Sequence, residues 1–527
     1  MSKIFKQQRE TVKEQLEAKK KIRFFHEINL RIKESKDIKN ANKEKKIKEI
    51  ISSITGFKQE EISITEEEAL KGNIKYHYGD LNFENFICFL QNCKILPKGM
   101  GGDFGCYTLN RYSLKSLPEN IKLPENIGGD LFFNHFESFP ENLKLPENIG
   151  GNLCLDNLKI LPKNFKLPKS IGGGFHFGSL EYLPEDFKLP NYIGGSIGLH
   201  SLKSLPEDFK LPDCIGGHLD LATLEAFPED FKLPNYIGGS LYLEDLKFLL
   251  TDFKLPKSIG GDLKIDSLKS LPEDFKLPEH IGGSIGLHSL KSLPEDFKLP
   301  DCIGGDFWLD SLKFFPKNFK LPKNIEGNFR LDSLESVEGL KLPKSIGGDL
   351  DFGSLKSLPE DCKLPDCIGD DFWLDSLKSL PKNFKLPKHI GGGFRLNSLE
   401  FLPEDFKLPK NMKGGLCLKT LKSLPKNFKL PESMGGYLIF GSLESLPEDF
   451  KLPKSIGGHL IFRRLKFFPK NFKLPEHIGG DFCFNSLESL PEDFKLPEHI
   501  GGGIYLENLE YLEKEKLRQE YPDLIIE

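Results

Sequence analysis

From about residue 78 the chain alternates apolar and polar positions in a pattern that restarts every 22 residues. The copy at 260–281, GGDLKIDSLKSLPEDFKLPEHI, shows it clearly. Leu263 and Ile265 alternate with Asp262, Lys264 and Asp266, the period of a β-strand with one buried face. Leu268 and Leu271 continue inward at a spacing of three, where the chain must bend. Pro272-Glu273-Asp274 is turn chemistry, with proline setting φ. Phe275, Leu277 and Ile281 return to the core. Pro278 keeps that leg extended, because it has no N–H to give to a ladder. Gly260-Gly261 allows a tight corner before the next strand.

The Gly-Gly pair or its relic begins at 128 and recurs at 22-residue steps to 326, then after one 21-residue step at 347 and on to 501. Two looser copies start at 78 and 101, the second stretched to 27 residues. The segment 193–217 is repeated without change at 281–305, four coils further on. About twenty coils follow one another. A single coil has too few apolar side chains to offset its own ordering entropy, so neighbours must stack and share a core. The expected fold is a repeat solenoid, one continuous rod or arc with one short parallel β-strand per coil. A phenylalanine recurs at one position from Phe165 to Phe319 and again from Phe384 to Phe494, and should form an aromatic spine.

Residues 1–77 lack the repeat. Val12 to Phe25 and Ile28 to Ile51 have apolar residues at helical spacing, and Thr65 followed by three glutamates resembles a helix start. This head is basic, with 16 Lys or Arg against 8 Asp or Glu in residues 1–50, so a net charge of −5 leaves the remainder at −13. Two readings suit a basic head: a helical cap over the first open coil, or contact with an anionic membrane or nucleic acid. A nucleic-acid binder should carry a basic stripe on its body, which this chain lacks, so no nucleic acid is expected. Residues 511–527 are the expected opposite cap, with a short helix from Glu513 to Tyr521 before Pro522. The N-terminus has no secretory pattern and no run of 18 apolar residues occurs, so a cytoplasmic protein is expected. The ten cysteines show no pairing pattern and read as small apolar residues in a reducing compartment.

With strand, Leu-Pro turn and core column placed, the unit resembles a leucine-rich repeat of the short bacterial type with "LP" after its last leucine, here Leu263, Ile265, Leu271 and Pro272. The resemblance covers about 78–510. It departs where an asparagine and a later leucine are usual, a stretch shortened here to Leu268, and in the Gly-Gly corner. It implies a horseshoe and a habit of binding ligands. Among similar proteins are effectors delivered into host cells, some with a ubiquitin ligase domain; that enzyme reading is weak, since some 17 residues follow the last coil.

No nucleophile elbow, phosphate loop or zinc-protease motif occurs, and no enzyme activity, cofactor or metal is expected. The Glu-Asp pairs after "LP" are repeated turn residues. His280, His389, His477 and His499 share a surface loop position without companions at ligand spacing. What the repeat leaves unexplained is the middle outward position of the strand, which varies while its core neighbours hardly change. Both tryptophans fall there, each followed one coil later by arginine: Trp308 and Arg330, then Trp373 and Arg395. Tyr242 and Lys264 occupy the same column. Exposed Trp and Arg are common interface anchors. Duplication with drift is the bland alternative, since DFWLDSLK at 306–313 recurs at 371–378. The expectation is a non-catalytic scaffold that binds a protein partner on this face. The alternative is a host-directed effector or adaptor whose N-terminal region recruits other machinery or a membrane.

Overall fold

A computed structural model describes residues 40–55, 58–64, 76–77, 80–82, 96–105, 115–117, 119, 121–409, 411–470, 472–492, 494–522 and 524–527. The expected helix at 12–25 and the helix start at Thr65 lie outside these residues. Two compact units emerge: Met1–Ile265 with Pro278–His280, and Asp266–Leu277 with Ile281–Glu527.

Each unit is a parallel β-solenoid of 22-residue coils. In the first, the main ladder runs from Leu81–Asn82 to Leu263–Lys264, each strand in register with the one a coil away. In the second it runs from Ile285–Gly286 to Ile504–Tyr505. The strands are two or three residues long, because the inward side chains Leu263 and Ile265 or Phe307 and Leu309 are fully buried and the chain then bends. The bonds that hold the coils are regular, for example Leu241 N–H to Asp262 O at 2.7 Å and Phe307 N–H to Asn328 O at 2.7 Å.

A second parallel ladder, unforeseen in the sequence, runs through the isoleucine before Gly-Gly. It pairs Tyr236–Ile237 with Ser258–Ile259 in the first unit and Cys302–Ile303 with Asn324–Ile325 in the second. It reaches back to Ile62–Ser63, beside the helix Asn40–Thr55. The four repeat histidines therefore stand on strands rather than in loops, and they remain exposed.

The Gly-Gly corner also has a different cause from left-handed backbone freedom. Among the described glycines only Gly105 and Gly339 have positive φ. A Cβ on Gly238 would instead lie 2.2 Å from the carbonyl oxygen of Gly216, one coil away, and Gly260 meets Gly238 at 2.1 Å in the same way. Corner backbones stack in direct contact, which leaves little room for a side chain between them. Glu326, Lys413 and Asp370 stand at corner positions in the second unit, and nothing in the structure explains how they are accepted.

The turn after "LP" closes with the phenylalanine N–H bonding the proline carbonyl, as in Phe275 to Pro272 at 3.1 Å. Asp252 and Asn318 take positive φ in this turn, a conformation that Asp and Asn tolerate better than most residues. On the returning leg Pro278 is buried while Leu277 is only half-buried, correcting the expectation that leucine faces inward there. The phenylalanines do form spines within each unit. Phe406 is 6 % exposed and lies 6.4 Å from Phe384 and 6.3 Å from Phe428, with planes within 4° and 13°.

At the C-terminal edge of the second unit, a helix spans Tyr511–Glu520, beginning two residues before the expected start, with Leu517 buried. The chain then returns so that Ile526 bridges Ile504 in parallel. Arg518 holds this return by donating to the Ile526 carbonyl at 2.8 and 3.1 Å.

Candidate functional site

Three columns of side chains face outward along the main ladder, on either side of the inward pair. The first follows Gly-Gly, the second is the variable middle position, and the third lies two residues beyond it.

The first column builds structure. Its side-chain acceptor takes the backbone N–H of the equivalent residue one coil on: Asp103 from Asp130 at 2.7 Å, Ser240 from Asp262 at 2.9 Å, Asp306 from Asn328 at 2.6 Å and Asn328 from Asp349 at 2.7 Å. Histidine serves as well, His218 accepting from Ser240 and His459 from Asp481 through Nδ1. These N–H groups lie between coils, most of them partly buried, and the side chains supply the acceptors they need. Sequence reasoning missed this ladder because Asp, Asn, Ser and His look unlike one another; their shared signal is an acceptor atom at one repeat position.

The middle column holds the predicted residues, in both units. In the first, Tyr242 and Lys264 are neighbours in register, with the ammonium 5.6 Å from the ring centre. In the second, Trp308, Arg330, Asp351, Trp373 and Arg395 occupy five consecutive coils in register. The structure thus brings four of the six predicted residues onto one continuous strip.

The two Trp-Arg pairs behave differently despite their copied sequence. Arg395 lies over the Trp373 ring at 4.9 Å and donates through Nε to the Tyr437 hydroxyl at 3.1 Å, two coils on. That reach needs Gly415, since a Cβ there would lie 2.6 Å from the Tyr437 ring. Trp373 donates its indole N–H to Asp371 at 3.3 Å. Arg330 turns instead to Asp332 at 3.0 Å, with Asp310 at 3.9 Å. Asn397 stands where Asp332 stands beside Arg330, while Asp375 keeps the place of Asp310; without the first carboxylate the Arg395 guanidinium turns to the ring and the tyrosine. Trp308 stacks on His288, with centroids 5.1 Å apart and planes within 20°. His288 bonds Asp310 through Nδ1 and lies 3.9 Å from Asp266.

Asp351 sits between Arg330 and Trp373 and is only 7 % exposed. Burial, then the neighbouring Asp332 carboxylate, pushes its carboxyl up to about 7. Its Oδ1 accepts the Gly353 N–H at 2.8 Å. His288, Asp310, Asp332, Asp351 and Tyr437 are participants that the sequence did not single out.

Cys154, Cys417 and Cys483 share the middle column. Burial pushes their thiols up, to about 12, 11 and 11, so they are protonated and poorly nucleophilic near neutrality. Asp349, Asp370 and Asp371 present carboxylate oxygens within 4.8 Å of one another, the one such cluster among the described residues. Asp349 and Asp371 already spend Oδ1 on backbone N–H groups of the first-column ladder, so the cluster has a structural use.

No helix among the described residues is long and apolar enough to cross a membrane. Comparison with protein-family models, with curated proteins and with solved structures found no match for this chain.

Proposed function

We propose that the protein is a non-catalytic scaffold that binds a protein partner on the outward face of the second unit's main sheet. One observation carries this reading: Trp308, Arg330, Trp373 and Arg395 line up in register on an open face whose inward neighbours are uniform leucine and phenylalanine. Uniform core with a variable surface is how a repeat array separates folding from recognition. Large, half-buried indoles held by stacking and by hydrogen bonds lose little entropy when a partner covers them. In the first unit Tyr242 and Lys264 are a smaller feature of the same kind. The coil itself is proposed to be a variant of the leucine-rich repeat. The first-column acceptor ladder supplies, at a different repeat position, the bonding that an asparagine ladder gives that family.

The test is affinity capture from the source cell with the full chain and with Trp308→Ala/Trp373→Ala. Partners held by the native chain should be lost from the variant while its thermal melt stays within a few degrees. Undiminished capture would place the binding surface elsewhere.

A further inference from the structure

The chemistry of the outward strip goes further than its rings. From residue 306 to 375 the three outward columns carry Asp306, Asp310, Asp332, Asp349, Asp371 and Asp375, together with the nearly buried Asp351; Arg330 is the one cation among them. The next unit-two coils differ, with Lys419, Ile439, Ile461 and Arg463 in these columns, so the acidity is local to the tryptophan coils. The carboxylates outnumber the cation: Arg330 is shared between Asp332 at 3.0 Å and Asp310 at 3.9 Å, and the side chains of Asp310, Asp332 and Asp375 are only partly buried. The rings are already shown to take a cation: Arg395 lies over Trp373.

We infer that this strip receives a Lys/Arg-rich, extended segment of a partner protein; the inference rests on the face being the binding surface. Carboxylates spaced one coil apart pair with guanidinium or ammonium groups, and indole faces between them attract the same groups through the ring quadrupole. Trp308 and Trp373 are three coils apart, ~14 Å, the reach of four to five extended residues. A nucleic acid or an anionic membrane would meet the same carboxylates as repulsion.

The chain has two tryptophans, both on this strip, so the intrinsic fluorescence of the full-length protein reports the site directly. The probes are two synthetic peptides of about twelve residues, Arg alternating with Ser and Glu alternating with Ser. The Arg peptide should give a saturable emission change at low salt that weakens roughly tenfold at physiological ionic strength, since exposed charges are screened there. The Glu peptide should give none. Asp310→Asn/Asp332→Asn/Asp375→Asn should weaken Arg-peptide binding about tenfold or more. Asp375→Asn alone should weaken it measurably, should the triple variant fold poorly. Glu400→Gln/Glu488→Gln, on a different column and paired with Lys422 and Lys466, should bind as the native chain does.

No saturable response to the Arg peptide, an equal response to the Glu peptide, or equal weakening in the control variant would overturn the inference. Affinity capture separates it from the broader reading. Partners lost with the tryptophan variant but kept by the triple Asn variant would leave the surface standing and remove the cationic partner. Partners kept by both would remove both.

Discussion

Asp351 shows how much one position depends on its neighbours. In sequence it is one aspartate in a variable column. In the structure it is nearly enclosed, one coil from Arg330 and beside Asp332, and its carboxyl holds a proton to about pH 7. The unfolded chain would release that proton near 3.8, the ordinary value. Between those values the folded state binds the extra proton, so stability falls as pH rises through the window and levels off above it. Each tenfold displacement is worth ~1.4 kcal/mol. Asp351→Asn should therefore flatten the pH dependence. Urea unfolding at about pH 4.5 and about pH 7.5 should show the native chain losing ~1–3 kcal/mol more than the variant over that interval. Other carboxylates titrate in both proteins, so the difference isolates this residue, and parallel pH profiles would show that Asp351 ionises normally.

At the scale of the coil, strand, turn and spine follow from repeated residue types. Inward Leu, Ile and Phe alternate with polar residues, so the strand and its buried face were legible at once. The "LP" turn and the phenylalanine column were legible for the same reason. The second ladder was not. Its strands are two residues long, too short to show alternation, and arise because stacking forces the corner backbones into register. Stacking also sets the energetic weight of the spine. Phe406→Ala would leave Phe384 and Phe428 facing a void, and large-to-small changes at such sites cost ~3–5 kcal/mol. Chemical denaturation should show that loss. A loss under ~1 kcal/mol would mean that neighbouring coils collapse to fill the space.

At the scale of the molecule, an array of stacked strands ends in open ladder groups that invite further pairing. The second unit meets this at its C-terminal edge. Ile504 N–H bonds Ile525 O at 3.0 Å, Leu506 N–H bonds Glu527 O at 2.9 Å, and Glu527 N–H returns to Ile504 O at 2.8 Å. Truncation after Glu510 would expose these groups together with the buried Leu509 and Ile504. The truncated protein should associate through this edge, seen as concentration-dependent growth in light scattering. A monodisperse product matching the full-length chain would show that the edge needs no cover.

The sequence by itself determined the coil, its period, its inward residues and the column where variation gathers, because each of these is a local pattern written many times. Tertiary structure alone decided what those columns do. Which side chain accepts a neighbour's N–H, why the corner admits little but glycine, why Arg395 lies on Trp373 while Arg330 turns to Asp332, and how Asp351 keeps its proton all depend on groups that lie a coil or two away. The 22-residue step brings such groups within a few ångströms, and their identities are set by one another rather than by the repeat.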